Sequence, residues 1–100
     1  MKVYKFGGAS IKDAEGVRKI SQLIHNEYVE PLIIVVSAMG KTTNMLEKVV
    51  NDYYANNSPN LDEVKLYHYS ILKELFDKSH SIFDDVNNLF VEIEWAIEDA

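Results

Sequence analysis

The apolar residues of the chain change their spacing several times, and each change predicts an element. Met1 to Tyr4 reads as a short strand that runs into the turn Lys5-Phe6-Gly7-Gly8-Ala9-Ser10. Val17, Ile20, Leu23, Ile24 and Tyr28 then recur at the spacing of an amphipathic helix. Ser10 and Asp13, just ahead of it, have a loose capping-box spacing with Asp in place of Glu or Gln. Leu32-Ile33-Ile34-Val35-Val36 is continuous rather than alternating, which predicts a parallel strand covered on both faces. A helix from about Asn44 to Tyr54 follows, with Thr42 or Thr43 as its cap, and then the polar loop Asn56-Asn57-Ser58-Pro59-Asn60. Asn60 and Glu63 make a capping pair for the next helix. Leu61, Val64, Tyr67 or His68, Ile71, Leu72, Leu75 and Phe76 form one helical stripe, ending near Lys78; Ile82, Phe83, Val86, Leu89, Phe90, Ile93 and Ile97 form another. Two helices packed on each other and on the α/β unit are expected.

The predicted order is therefore β-α-β-α followed by two helices, with an α/β unit over residues 1–55 and a helical segment over 60–100. In a right-handed βαβ unit both strands point the same way, so the loops after Phe6 and after Ser37 open at one sheet edge. Ligands of open α/β sheets bind there, outside the carboxyl ends of the strands. Adjacent glycines let a backbone adopt φ > 0 and bring N–H groups close to an anion, and Lys5 adds a positive charge. A helix N-terminus behind the turn strengthens the same field. The plainer alternative is a strand-to-helix turn that uses glycine only for geometry.

Two other phosphate motifs fail on spacing. Gly40-Lys41-Thr42 ends like a Walker A loop, but Val35 stands where that motif needs its first glycine. The first turn also lacks the Gly-x-Gly-x-x-Gly pattern of dinucleotide-binding folds.

Charge divides the chain in the same place. Residues 1–50 hold seven Lys/Arg against five Asp/Glu, net +2, whereas residues 51–100 hold three against eleven, net −8, for a total of −6. The acidic half argues against nucleic acid, which needs Lys/Arg to neutralise phosphates. No apolar run approaches the roughly 20 residues that span a bilayer, so no membrane role is expected. The chain has no cysteine and shows no secretory leader, which makes a cytoplasmic protein the default. Its histidines and acidic clusters show no metal-ligand spacing, so no metal residue is assigned.

Lys5-Phe6-Gly7-Gly8-Ala9-Ser10 resembles the amino-terminal signature of aspartate kinases, and Ser37-Ala38-Met39-Gly40-Lys41-Thr42-Thr43-Asn44 resembles their second conserved block. The order and separation also match. The resemblance covers about the first 55 residues, and Ala9 departs from it, standing where the family most often has threonine. It implies the parallel-sheet αβα sandwich of amino-acid kinases, of which this chain is the amino-terminal part. It further implies transfer of the γ-phosphoryl group of ATP, bound with Mg2+, to the side-chain carboxylate of L-aspartate, the first step of lysine, threonine and methionine biosynthesis. By matching positions, Lys5 contacts the transferred group; Lys5, Gly7, Gly8, Ser10 and Ser37 lie against the ATP phosphates; Ser37 and Thr43 lie beside the aspartate. The magnesium ligands are expected outside this chain, and the full-length protein is expected to be a homo-oligomer. Family catalytic domains are well over twice this length, so the chain alone is expected to be inactive. The kinase portion of a bifunctional aspartate kinase and homoserine dehydrogenase, or a non-catalytic helical interaction module, are the alternatives.

Overall fold

The computed structural model describes residues 1–27, 31–56 and 59–99. Tyr28, Asn57 and Ser58, which entered the readings above, lie outside the described residues. The chain forms β1 (Lys2–Phe6), α1 (Ala14–Glu27), β2 (Leu32–Val36), α2 (Thr42–Asn56), α3 (Asp62–Leu75) and α4 (Ile82–Glu98). It divides into two compact units, residues 1–42 and 43–100.

In the first unit β1 and β2 pair in parallel from Lys2 opposite Leu32 to Phe6 opposite Val36. A period of two puts Tyr4 and Phe6 on one face, where their ring centroids lie 6.4 Å apart. The other face carries Val3 and Lys5 beside Ile33 and Val35. The expected cover on both faces of β2 is not found: Ile33, Ile34, Val35 and Val36 keep 44%, 42%, 45% and 60% of their surface exposed. Among the described residues of this unit α1 is the one helix that can lie on the sheet, and one helix cannot cover two sides of it. A run of branched residues reports a demand for cover, not the cover itself.

α1 begins later than its capping spacing suggests. Asp13, not Ser10, caps it: the Asp13 Oδ1 accepts the Gly16 N–H at 2.8 Å, and the Asp13 carbonyl accepts from Val17 at 3.1 Å. Ser10 is held back in the turn, donating its N–H to the Gly7 carbonyl at 3.0 Å. Below the turn, Ile11 and Ala14 are buried.

The second unit is built on a core of Val49, Leu61, Val64 and Phe90, with Met45, Leu46, Tyr69, Val86, Ile93 and Ile97 packed against it. Tyr69 stacks on Phe83 at 6.4 Å and meets Phe90 at 5.8 Å, so aromatic packing joins α3 to α4. Leu89 belongs to the predicted stripe but is 57% exposed; Phe90 occupies the inward position beside it. The capping pair is also revised. Asn60 Oδ1 accepts from Asp62 N–H at 3.0 Å in a local turn, while Leu61 is the N-cap residue and makes no side-chain cap bond. Leu61 is buried, and the Glu63 carboxylate pairs with Lys48 at 3.5 Å.

Lys65 on α3 donates to Glu94 Oε1 on α4 at 2.8 Å, and both side chains are about one-third exposed. The hydrogen bond to Glu94 raises the Lys65 pKa above 10.5, burial opposing it. A raised lysine pKa adds stability that is complete below the unfolded value and is lost as pH climbs through the folded value. Urea unfolding of wild type is therefore expected to weaken above about pH 10.5 more than that of Glu94→Gln, with a difference below about 1 kcal/mol at neutral pH. Parallel pH profiles for the two proteins contradict this.

Candidate functional site

Parallel pairing brings the two glycine-containing loops together at one edge of the sheet. The ladder extends one bond past the strands, with Ser37 N–H donating to the Phe6 carbonyl at 3.0 Å. Both chains then turn. In the first loop the Gly8 carbonyl accepts from Ile11 at 3.3 Å; the same carbonyl accepts the Gly40 N–H of the second loop at 3.0 Å. Gly8 is thus the joint between the two loops.

The reason for glycine differs at each position. A Cβ on Gly8 would stand 2.9 Å from both the Ala38 and the Gly40 carbonyl oxygens, a distance side chains do not occupy. Gly7 has no such neighbour within 4 Å. The expected positive φ is absent from both; it occurs at Gly40, where φ is 50°. Gly8 is needed for close backbone approach and Gly40 for a left-handed turn.

The side chains expected to act fall as follows. Lys5 is exposed, one residue short of the strand end and paired with Val35. Gly7, Ser10 and Ser37 are exposed in the loops that leave the two strands, and Gly8 is half-buried. Lys5, Gly7, Gly8, Ser10 and Ser37 therefore share one end of the first unit. Thr43, also exposed, is the second residue of α2 and belongs to the other unit. Thr42 is the buried member of the pair: its N–H donates to the Met39 carbonyl at 2.9 Å and its Oγ1 to the same oxygen at 2.5 Å. These bonds close the second loop onto the first turn of α2.

A groove of about 570 Å³ lies between the glycine turn and α1, lined by Phe6, Ala9, Ser10, Lys12, Asp13 and Leu23 among others. Of the sequence-predicted site residues only Ser10 borders it. Lys5 and the joined glycines sit instead on the open edge. The N–H groups of Ser10, Ile11, Ser37 and Gly40 are donated within this edge, and Lys5 brings a positive charge to it from β1. Among the described residues no group of three or more His, Asp or Glu side chains is placed to hold a metal ion, and no helix is long and apolar enough to cross a membrane.

Sequence reasoning assigned no role to Gly40 as the partner of Gly8, or to Asp13 as the cap that ends the turn. The Ser37 to Asn44 block carried the first signal, since a glycine just after a buried-type strand marks a turn. Aspartate three residues before Gly16 carried the second.

Residues 1–88 match the model of the amino acid kinase family. Aspartokinase 1, chloroplastic, of Arabidopsis thaliana is 42% identical over 73% of this chain and 14% of its own length. The aspartokinase of Chlamydia trachomatis is 31% identical over 92% of this chain and 21% of its own. The bifunctional aspartokinase/homoserine dehydrogenase of Buchnera aphidicola is 38% identical over 57% of this chain and 7% of its own. The chain thus matches no more than 21% of the length of these relatives. No solved structure matches it significantly.

Proposed function

Because the chain belongs to the amino acid kinase family, we propose that it is the amino-terminal part of an aspartate kinase, built on that family's parallel-sheet αβα sandwich. The observation that carries the proposal is the bond from Gly40 N–H to the Gly8 carbonyl, which ties the two aspartate-kinase-like blocks into one edge beside Lys5. In the reaction a side-chain carboxylate oxygen of L-aspartate attacks the γ-phosphorus of ATP. The bond to the β-γ bridging oxygen breaks, ADP leaves with that electron pair, and an aspartyl phosphate forms.

Transition-state charge in phosphoryl transfer sits on the equatorial oxygens, so the protein contributes position and positive charge. Lys5 supplies the charge to the transferred group. Gly7, open on its surface, lets the phosphates approach the backbone, and Gly8 holds the second loop in place. Ser10 and Ser37 offer hydroxyl donors, and Thr43 contacts the aspartate. Magnesium enters with ATP and offsets phosphate charge; its protein ligands are proposed to lie outside these residues, and no step above depends on a metal ligand from this chain.

The reading places the protein in the cytoplasm, in lysine, threonine and methionine biosynthesis, as a homo-oligomer. A bifunctional kinase and homoserine dehydrogenase is the second reading, favoured by the similarity to the bifunctional Buchnera protein. The discriminating assay gives the full protein ATP and magnesium with L-aspartate, glutamate or acetylglutamate, and traps acyl phosphate with hydroxylamine. Aspartyl hydroxamate alone is expected, and none from the isolated 100 residues; product from another acceptor but not from aspartate overturns the proposal.

Thr43 separates substrate contact from helix capping. Thr43→Ser is expected to keep most activity, and Thr43→Val to raise KM for aspartate several-fold more than KM for ATP. A loss of about 1 kcal/mol in stability with both KM values unchanged would make Thr43 structural.

A further inference from the structure

Gly16, the third residue of α1, has no part in the site described above, yet it has even less room for a side chain than Gly8. A Cβ on it would overlap the Ser10 carbonyl oxygen and stand 3.3 Å from the Ser10 carbonyl carbon and 3.2 Å from the Asp13 Oδ1. Glycine costs a helix stability relative to alanine, and here the close approach supplies the reason for it. The Ser10 carbonyl shares one rigid peptide plane with the Ile11 N–H, so neither can turn without the other. That N–H donates to the Gly8 carbonyl at 3.3 Å, and the same carbonyl accepts the Gly40 N–H at 3.0 Å. A line of backbone contacts therefore runs from Gly16 through Ser10 and Ile11 to the joint between the two glycine loops. Its far end is held firmly: the Asp13 Oδ1 accepts the Gly16 N–H at 2.8 Å, and Ile11 and Ala14 are buried on either side of Asp13 in the chain.

We propose that Gly16 is a positioning residue for nucleotide binding: by giving the Ser10 carbonyl room against the first turn of α1, it sets the peptide plane whose N–H holds the Gly8 carbonyl. The role rests on the aspartate kinase reading, since it concerns the edge assigned there to the ATP phosphates. Gly16 itself touches no reactant. A side chain there must push the Ser10 carbonyl away, because the atom it meets is backbone and not the end of a flexible side chain. The Ile11 N–H swings with that carbonyl and loosens its bond to Gly8.

Calorimetric titration of the full protein with MgATP tests this. Gly16→Ala is expected to weaken binding by about fivefold or more, the direction that follows from displacing a positioning loop, with the circular dichroism of wild type. Helix propensity alone predicts the opposite, a variant at least as stable as wild type with unchanged affinity. Two variants of equal charge at Asp13 give a second reading that holds even if Gly16→Ala does not fold. Asp13→Asn keeps an oxygen to accept the Gly16 N–H, whereas Asp13→Ala releases it, so Asp13→Ala is expected to bind MgATP about twofold or more weaker than Asp13→Asn. Wild-type affinity in a folded Gly16→Ala, or equal affinity in the two Asp13 variants, overturns the positioning role while wild type still binds MgATP and phosphorylates aspartate. A wild-type protein that binds no MgATP overturns the aspartate kinase reading and this role together.

Discussion

Replacing Lys5 with alanine is expected to lower kcat for aspartate phosphorylation by about 10²-fold or more while leaving the fold intact, the scale of losing one preorganised transition-state donor. The expectation rests on where the lysine stands. Lys5 is exposed, its backbone is fixed by parallel pairing opposite Val35, and it precedes the glycine turn by two residues. An exposed side chain on a fixed backbone can be removed without opening a core cavity. Its loss should therefore appear in catalysis and not in unfolding. KM for ATP should change less than kcat, because a contact that strengthens in the transition state appears in kcat and not in ground-state binding. Steady-state kinetics on the full protein check this, and a fall of less than threefold would remove Lys5 from the reacting centre.

Gly8→Val should weaken ATP binding severely, by about 10²-fold or more, with the second unit still folded. Even a single Cβ at this position meets two carbonyl oxygens at 2.9 Å, and both belong to backbone that cannot swing aside as a side chain would. Relief requires the loop after β2 to move away, which breaks the Gly40 to Gly8 bond. A displacement of about 1 Å in a positioning loop is enough to cost about 10²-fold. The core of Val49, Leu61, Val64 and Phe90 lies wholly within residues 43–100, so its thermal unfolding should be nearly unchanged. Calorimetry that finds unaltered nucleotide affinity would falsify the joint. Gly7→Ala is the informative contrast: with open space around Gly7, it should be far milder.

Much of the architecture was legible because local pattern and tertiary use agree. Glycine after Phe6 stops β1, the continuous branched run is β2, and the stripes from Val64 and from Phe83 bury their inward residues in one core. What the pattern misread depends on information it does not carry. The start of α1 was misplaced because Ser10 and Asp13 are both good caps, and only the backbone bond from Ser10 to Gly7 decides between them. The glycine torsions were misassigned because a Gly-Gly pair signals freedom without saying whether it serves φ or close approach; here Gly8 serves approach and Gly40 takes the positive φ. Leu89 was read as buried because stripe membership has a tolerance wider than the groove between two helices. For the candidate site, the sequence supplied Lys5, Gly7, Gly8, Ser10 and Ser37, which parallel pairing gathers at one edge. It did not supply Gly40 as the second half of the joint, since that contact spans 32 residues of chain.

The most direct test of that joint as a phosphate site is a titration of the isotopically labelled protein with MgATP, read at the backbone amides. The largest shifts are expected at Gly7, Gly8, Ser10 and Gly40, saturating together, persisting in Lys5→Ala and lost in Gly8→Val. Shifts centred on the groove beside α1, or none at either glycine loop at saturating nucleotide, would contradict it.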